Sequence, residues 1–312
     1  GDQNSEPDIK AGSIPLSVTH HPPAQMTIAT FDSLLDRITT GENLGVNEIT
    51  ELAATNDILS LGMLADVVRR RLHGAQVTYL RVEAWGFDRA PGDAISPAAR
   101  EIRITGVPET FDAAVSAIEA AKAVAGERTV AGFSWPDVER LAANSSMPRH
   151  DAIAALHAAG LDALAGIPLD VVADVEGAIK ELVGAGFGQL HLTIEKAPAG
   201  ERTPLWLRAA GLRRQYDQIQ SINPLPATLH AFQPTTGYDD VKAVALARLA
   251  APNVPSIQID WLRYGPKLAQ VALTFGADDL DNVTALDEAP DGRRRAPLEE
   301  VRRGIEAAGF LP

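Results

Sequence analysis

The chain has 312 residues, of which 46% are hydrophobic and 22% charged, and these are the values of a globular protein with a large core. Its formal net charge of -13 argues against a nucleic-acid backbone or an anionic membrane as a partner, because the long-range field repels both. Cysteine is absent, which excludes a disulfide framework. No apolar run approaches the roughly 18 residues that cross a bilayer, so we expect a cytoplasmic protein.

The N-terminal part divides into a polar tail and a helical segment. Residues 1–30 are rich in proline and lack periodicity, which predicts a disordered or surface-wrapped tail. Residues 31–75 have helical periodicity and predict a helical lead-in that packs on the following domain. Asn47 is expected to cap the second helix of this lead-in, and the third helix is predicted over Leu59–Leu72.

From Gln76 onward, short β-branched runs alternate with helical patterns. The predicted strands are Val77–Val82, Ile102–Gly106, Thr129–Trp135, Ala163–Gly166, Gln189–Lys196, Ile222–Leu229 and Gln258–Leu262. The predicted helices are Thr110–Val124, Pro136–Ala143, His150–Ala159, Val175–Val183, Leu205–Ile219, Asp239–Leu249 and Glu299–Ala308. Repeated βα units imply a parallel sheet, so residues 76–312 predict an α/β fold, a full or partial (β/α) TIM-type barrel with a C-terminal helix.

The stretch Ser256–Asn282 is one complete βα unit of this pattern. Ile257 and Ile259 alternate with polar residues, as in a strand. Gly265 and Pro266 are expected to end the strand and begin a helix, since proline suits the first helical turn. Three carboxylates follow on an expected loop: Asp278, Asp279 and Asp281.

This stretch also carries a resemblance to a known family. Residues 261–282 read WLRYGPKLAQVALTFGADDLDN, and residues 233–237 read QPTTG. Both segments resemble the C-terminal part of the radical-SAM enzymes of the futalosine pathway, aminofutalosine synthase and cyclic dehypoxanthine futalosine synthase. The thiamine and deazaflavin radical-SAM synthases are similar at a greater distance. The resemblance runs from about Leu44 to the end of the chain. It implies a barrel of the radical-SAM kind and a role in menaquinone biosynthesis.

The resemblance also implies a cofactor that this chain is not equipped to hold. Members of the family bind a 4Fe–4S cluster through three cysteines in a loop after the first strand, where this chain has residues 81–89 and no cysteine. Such clusters need thiolate ligands, which oxygen and nitrogen groups do not replace. Residues 106–108, Gly-Val-Pro, stand where the family has its SAM-contacting glycine-rich turn. We therefore predict no cofactor: 4Fe–4S is excluded and SAM is not expected.

Alternation along the strands predicts which side chains face the barrel interior. On the second, fifth and seventh strands these are Glu101, Arg103, Thr105, His191, Thr193, Glu195, Gln258 and Asp260. Buried charges without partners are costly, so these groups must pair or meet a polar ligand. In one interpretation Arg103 bridges Glu195 or Asp260 in a filled barrel. In the other, the side chains line a polar pocket that opens at the C-terminal ends of the strands.

The second interpretation yields a set of candidate site residues. Glu195 and His191 are the catalytic candidates, for acid–base or lyase chemistry. The substrate-binding candidates are Arg103, Asp260, Gln258, Tyr264, Lys267, Thr235, Thr236 and Asp279. Structural alternatives remain open for several of them: Thr236 suits a helix N-cap, Asp279 a turn cap and His191 a hydrogen-bonded core position. No metal site is predicted.

Two hypotheses of different classes follow. In the first, the chain is a menaquinone-related binding protein or enzyme that has lost the radical chemistry and binds a nucleoside- or chorismate-derived ligand, such as a futalosine-like compound, at the barrel mouth. In the second, it is a non-catalytic pseudoenzyme that regulates or stabilises an active futalosine-pathway enzyme as a protein partner. An open pocket favours the first, and a filled barrel with an apolar outer patch favours the second.

Overall fold

Eight parallel strands form a closed barrel, in the order of the chain, in the computed structural model of residues 26–90, 92–228, 235–287 and 296–312. The strands are β1 (Thr78–Gly86), β2 (Glu101–Thr105), β3 (Thr129–Ser134), β4 (Ala163–Pro168), β5 (Leu190–Ile194), β6 (Ile219–Pro226), β7 (Ser256–Asp260) and β8 (Asp279–Thr284). The predicted TIM-type barrel is confirmed, and it is complete.

Eleven α-helices accompany the strands in these residues. They are α1 (Ile28–Thr39), α2 (Val46–Ala54), α3 (Ile58–His73), α4 (Phe111–Ala125), α5 (Trp135–Asn144), α6 (Arg149–Ala158), α7 (Val175–Gly184), α8 (Thr203–Arg213), α9 (Gly237–Ala250), α10 (Trp261–Leu273) and α11 (Leu298–Ala307). The first three precede the barrel and the others alternate with its strands. No described helix is long and apolar enough to cross a membrane. Most of the predicted tail lies outside the described residues, although α1 begins inside it.

The eighth strand was not predicted, because its carboxylates suggested a loop. Asp279 begins β8 and lies beside Gln258 of β7 and Thr78 of β1, so this strand closes the barrel. Asp279 and Asp281 are two residues apart and therefore face the same side, which is the interior. Polar neighbours in the interior satisfy both carboxylates, and a strand can consequently carry them.

The end of β7 also differs from the prediction. The strand ends at Asp260, whose carboxylate accepts a hydrogen bond from the Arg263 backbone N–H at 2.9 Å and caps α10. Trp261 is therefore the first residue of the helix and not part of the strand. The Gly265-Pro266 pair lies inside α10, where Gly265 has φ 85° and kinks the helix.

Two other boundaries move for local reasons. The helix predicted to reach Ile219 ends at Arg213, and β6 starts at Ile219, three residues earlier than expected. The N-cap of α2 is Gly45 and not Asn47, because Glu48 reaches back to accept from the Gly45 N–H at 2.8 Å. The first change matters for the site, since it adds Ser221 to a barrel strand.

Candidate functional site

The barrel is hollow and encloses a cavity of about 490 Å³, which we call the barrel cavity. This volume lies within the roughly 300–1,000 Å³ of small-molecule sites. Its lining includes seven of the side chains predicted to face inward: Glu101, Arg103, His191, Thr193, Glu195, Gln258 and Asp260. Thr105, the eighth, is exposed at the end of β2. The interpretation of a filled barrel is therefore wrong.

Five side chains from five neighbouring strands form a continuous hydrogen-bonded chain, which we call the floor relay. Its members, in order, are Thr78, Asp279, Gln258, Ser221 and His191. The Thr78 hydroxyl donates to Asp279 Oδ1. The Gln258 amide donates to the other carboxylate oxygen, Oδ2, at 2.7 Å. Ser221 donates to Gln258 Oε1 at 2.6 Å, and His191 Nδ1 lies 2.7 Å from the Ser221 oxygen. Asp279 is thus an interior residue at the start of β8 and does not cap a turn.

Burial raises the pKa of Asp279 from 3.8 to about 6, despite the hydrogen bonds from Thr78 and Gln258. A group whose pKa is higher in the folded protein stabilises it fully below the unfolded pKa, and this contribution is lost as the pH rises through the folded pKa. We expect the difference in unfolding free energy between wild type and Asp279→Asn to fall by roughly 2–2.5 kcal/mol from about pH 4 to about pH 7. Urea titrations of both proteins at the two pH values measure it. An equal difference at both would show that Asp279 is not perturbed.

Above the floor relay, Arg103 forms an ion-pair triad with two carboxylates. Its guanidinium donates to both oxygens of Asp281, at 3.0 and 2.8 Å, and its Nε donates to Glu101 at 2.7 Å. The predicted bridge from Arg103 to Glu195 or Asp260 is therefore wrong. Because Ala84 and Ala131 flank Arg103 on the adjacent strands, the long side chain has room to reach β8.

The two carboxyl groups of the triad have pKa values shifted in opposite directions. Burial disfavours the ionised form of Asp281, but the double hydrogen bond from Arg103 outweighs it and lowers the pKa of Asp281. Burial dominates at Glu101 and raises its pKa. Burial also opposes the charge of Arg103, yet the two carboxylates outweigh it and hold the Arg103 pKa above its usual value. The triad is consequently anionic or neutral, and Glu101 is its first group to take up a proton.

The mouth of the barrel cavity carries two further carboxylates. Asp260 accepts hydrogen bonds from the Asn282 amide, at 3.2 Å to each oxygen, besides capping α10. Glu195 accepts from the Thr228 hydroxyl. The loop that carries Glu195 is held by Asp170, which accepts from the backbone N–H groups of residues 195–197 at 2.7–2.8 Å. Neither Asp260 nor Glu195 forms an ion pair with a described residue.

The two catalytic candidates lie at opposite ends of the barrel cavity. His191 and Glu195 are four residues apart along β5 and the residue that follows it, which separates them by about 13 Å. Burial lowers the pKa of the His191 imidazole, so the ring is neutral near pH 7. The arrangement suits contacts at two ends of one ligand better than joint action on a single atom.

Four substrate-binding candidates do not reach the described lining of this cavity. The Tyr264 hydroxyl donates to the Pro226 carbonyl oxygen at 2.7 Å, and burial raises the pKa of Tyr264. Lys267 is exposed on α10. Thr236 caps α9 in a capping box with Asp239, its structural alternative. Thr235 donates to the buried Asp240. Gln233 and Pro234 of the QPTTG segment lie outside the described residues.

Several contributors to the site were not among the residues predicted from the sequence, namely Thr78, Ser221, Asp281 and Asn282. Ser221 was excluded because β6 was predicted to begin one residue later. Asp281 was expected on a loop, whereas it lies in β8. The alternation of Ile219, Ser221 and Asn223 along β6 contains the missing signal for Ser221, since residues two apart share a face of a strand.

Sequence comparisons relate the chain to one group of enzymes. Residues 225–312 match the protein family described as the CofH/MqnC C-terminal region. The chain is 23% identical to aminodeoxyfutalosine synthase of Thermus thermophilus, over 89% of this chain and 92% of that protein. It is 24% identical to cyclic dehypoxanthine futalosine synthase of Streptomyces coelicolor, over 91% and 87% of the two chains. The chain is a cysteine-free homologue of the futalosine-pathway synthases.

Other similarities to this futalosine-synthase homologue are shorter or concern the fold. Over 85 residues, 25% of this chain and 24% of the relative, it is 39% identical to 5-amino-6-(D-ribitylamino)uracil–L-tyrosine 4-hydroxyphenyl transferase of Archaeoglobus fulgidus. Methylornithine synthase superimposes with a TM-score of 0.63 and 14% identity, over 89% of this chain and 97% of that one. The hydrogenase maturase HydG of Carboxydothermus hydrogenoformans superimposes with a TM-score of 0.63 and 12% sequence identity, over 91% of this chain and 79% of that one. Both share the barrel fold of radical-SAM enzymes.

Most of residues 81–89, the segment expected to follow the first strand, is part of that strand. β1 continues to Gly86, and Trp85 is fully buried. The Arg89 guanidinium lies 4.3 Å from the Trp85 ring centroid and pairs with Glu83 at 3.1 Å. A guanidinium, an indole and a carboxylate supply no thiolate, so these side chains do not fit a 4Fe–4S cluster.

Proposed function

We propose that this chain binds a nucleoside-class small molecule in the barrel cavity, in a menaquinone-related context and without radical chemistry. The observation that carries the proposal is a polar cavity of about 490 Å³ that runs through the barrel from the starts of the strands to their C-terminal ends. The C-terminal end carries the ligand site in TIM barrels. Similarity to two futalosine synthases along nearly the whole chain supports a ligand related to futalosine.

The charge of the lining decides between the two ligand classes. Five carboxylates and two guanidinium groups line the barrel cavity: Glu101, Glu195, Asp260, Asp279, Asp281, Arg103 and Arg263. Carboxylates accept hydrogen bonds from hydroxyl and amino groups and repel anions. Ribose hydroxyls and a purine base satisfy this lining, and the single carboxylate of a futalosine-like nucleoside meets less repulsion than the two carboxylates of chorismate. The lining therefore favours a nucleoside.

Loss of radical chemistry is part of the proposal. The chain contains no cysteine, and an Arg89–Trp85 stack lies at the expected position of the cluster loop. Chemistry in the barrel cavity would then depend on acids and bases. A neutral His191 takes up a proton at one end of the ligand, and Glu195 binds hydroxyl groups at the mouth. The reaction class that fits these groups is a non-radical lyase or transferase, and binding alone needs the same contacts.

Thermal unfolding with futalosine, aminofutalosine, SAM and chorismate tests the proposal. We expect the two nucleosides to raise the Tm, because a ligand at a hundredfold excess over its Kd stabilises the folded state by about 2.7 kcal/mol. Chorismate is expected to have no effect. If neither nucleoside shifts the Tm, the proposal is wrong. A large shift with SAM would overturn the exclusion of that cofactor.

Two substitutions locate the binding. Ala165 is exposed at the middle of β4 and lines the barrel cavity, so Ala165→Trp fills the space and is expected to abolish the shift. Ala113 is exposed near the start of α4, and Ala113→Trp is the matched control that keeps the shift. A shift that persists in Ala165→Trp would place the ligand elsewhere.

The pseudoenzyme hypothesis has one supporting observation. Leu59 and Met63 are one turn apart on α3 and are 73% and 57% exposed. Exposed apolar side chains of this size are candidates for a protein contact. Co-elution of the chain with purified aminofutalosine synthase, abolished by Leu59→Glu, would support this second function, and separate elution would contradict it.

A further inference from the structure

We infer that Ser221, Gln258 and Asp279 are positioning residues that hold His191 in the tautomer with its proton on Nδ1, so that the Nε2 lone pair faces the barrel cavity. This inference concerns the acid–base and binding properties of the site proposed above and rests on that proposal for its use. Its evidence is the direction of donation along the floor relay.

The direction begins at Asp279. An ionised carboxylate only accepts hydrogen bonds, so the group that lies 2.7 Å from Asp279 Oδ2 must be the Gln258 amide nitrogen. This contact fixes the orientation of the amide, which is otherwise ambiguous by a rotation of 180°. Gln258 Oε1 is thereby turned toward Ser221.

Ser221 transmits the direction to the imidazole. Gln258 Oε1 can only accept, so the Ser221 hydroxyl donates its single proton there, at 2.6 Å. The Ser221 oxygen then has only lone pairs left for His191 Nδ1, which lies at 2.7 Å. Nδ1 must therefore carry the proton. In a neutral ring, the proton is absent from Nε2.

The Nε2 atom is available to a ligand. His191 lines the barrel cavity, its only hydrogen bond within the described chain is through Nδ1, and Nε2 is not sealed inside protein. The ligand group that fits at this end is therefore a hydrogen-bond donor, an N–H or O–H. A carbonyl or ether oxygen would meet a lone pair and be repelled. The floor relay thus selects the polarity of the ligand at the closed end of the site.

Nitrogen NMR of the full chain labelled with ¹⁵N-histidine measures the tautomer directly, with no ligand required. Long-range ¹H–¹⁵N correlations at mildly alkaline pH distinguish a protonated from a bare ring nitrogen, and His191→Gln identifies the signals. We expect Nδ1 protonated and Nε2 bare in the wild type. The opposite assignment in the wild type would overturn the inference.

The His191 tautomer in three variants tests whether Ser221 and Gln258 position the proton of the ring or only support the fold. Gln258→Leu frees the Ser221 hydroxyl to donate to Nδ1, and Ser221→Ala removes the acceptor, so both are expected to populate the Nε2–H tautomer. Gln258→Glu keeps an acceptor toward Ser221 while its other oxygen shares a proton with Asp279, and this variant is expected to keep the Nδ1–H tautomer. An unchanged tautomer in both Gln258→Leu and Ser221→Ala would refute the relay.

The two proposals fail independently. A correct tautomer without any ligand-induced rise in Tm would refute nucleoside binding and leave the floor relay intact. A ligand-induced rise in Tm together with His191 protonated on Nε2 would refute the floor relay and leave nucleoside binding intact.

Discussion

Replacing Arg103 with methionine is expected to lower the free energy of unfolding by about 3–5 kcal/mol at neutral pH. The reason is the triad inside the barrel, where Arg103 is hydrogen-bonded to Asp281 and Glu101 at 2.7–3.0 Å. Methionine fills a similar volume but leaves both buried carboxylates without a cation. The loss should shrink near pH 5, because carboxyl groups that lose their cationic partner take up protons more readily.

Urea denaturation with linear extrapolation measures this effect. Arg140→Met is the matched control, since Arg140 pairs with Asp137 on the surface and its loss should cost at most about 1 kcal/mol. The triple variant Arg103→Met, Asp281→Asn, Glu101→Gln removes the orphaned charges and is expected to recover part of the stability. Equal midpoints for Arg103→Met and wild type at neutral pH would mean that the triad is not formed.

The triad also illustrates what the sequence can and cannot predict. Period-two alternation is a property of every strand, so it identified Arg103, His191 and Gln258 as interior residues without knowledge of the fold. The partner of Arg103 depends on strand order and on the sizes of neighbouring residues. Ala84 and Ala131 leave the space through which the guanidinium reaches β8, and no local pattern contains that information.

The missed eighth strand has a related cause. Acidic residues are rare in strands because an unpaired carboxylate in a barrel is costly, and this reasoning placed Asp279 and Asp281 in a loop. Each carboxylate is satisfied by side chains that are far away in the chain, such as Thr78 and Arg103. Tertiary contacts therefore overrode a local preference. The outcome fits a general pattern, in which local rules fail most often at functional sites.

Two candidates in the segments that resemble the family behaved differently from those taken from alternation. Lys267 and Thr236 lie on helices outside the described lining, whereas every residue of the fifth and seventh strands that was predicted to face inward reached it. A shared motif transfers the local structure, here the capping of α9 by Thr236 and the kink of α10 at Gly265.

Outside the cavity, the ion pair between Arg248 and Asp278 is expected to be as important for stability as the triad. Arg248 is completely buried and donates to Asp278, to the Gly276 carbonyl oxygen at 3.0 Å and to the Val254 carbonyl oxygen at 3.2 Å. Asp278 also accepts from the backbone N–H of Ile257 at 2.8 Å. The pair therefore connects α9 to the segments that begin β7 and β8. Asp278, expected on a loop, lies directly before β8 and has this structural role.

We expect Arg248→Met and Asp278→Asn each to destabilise the fold by about 3–5 kcal/mol, since each leaves a buried group without its ionic partner. The double variant should lose much less than the sum, because removing both partners leaves no uncompensated charge. Urea midpoints of the four proteins give this coupling energy, and Arg70→Met, which loses an exposed pair with Asp66, is the surface control. Strict additivity of the two losses would show that Arg248 and Asp278 do not interact. A large coupling would show that a buried charge pair outside the barrel cavity stabilises the barrel alongside the triad inside it.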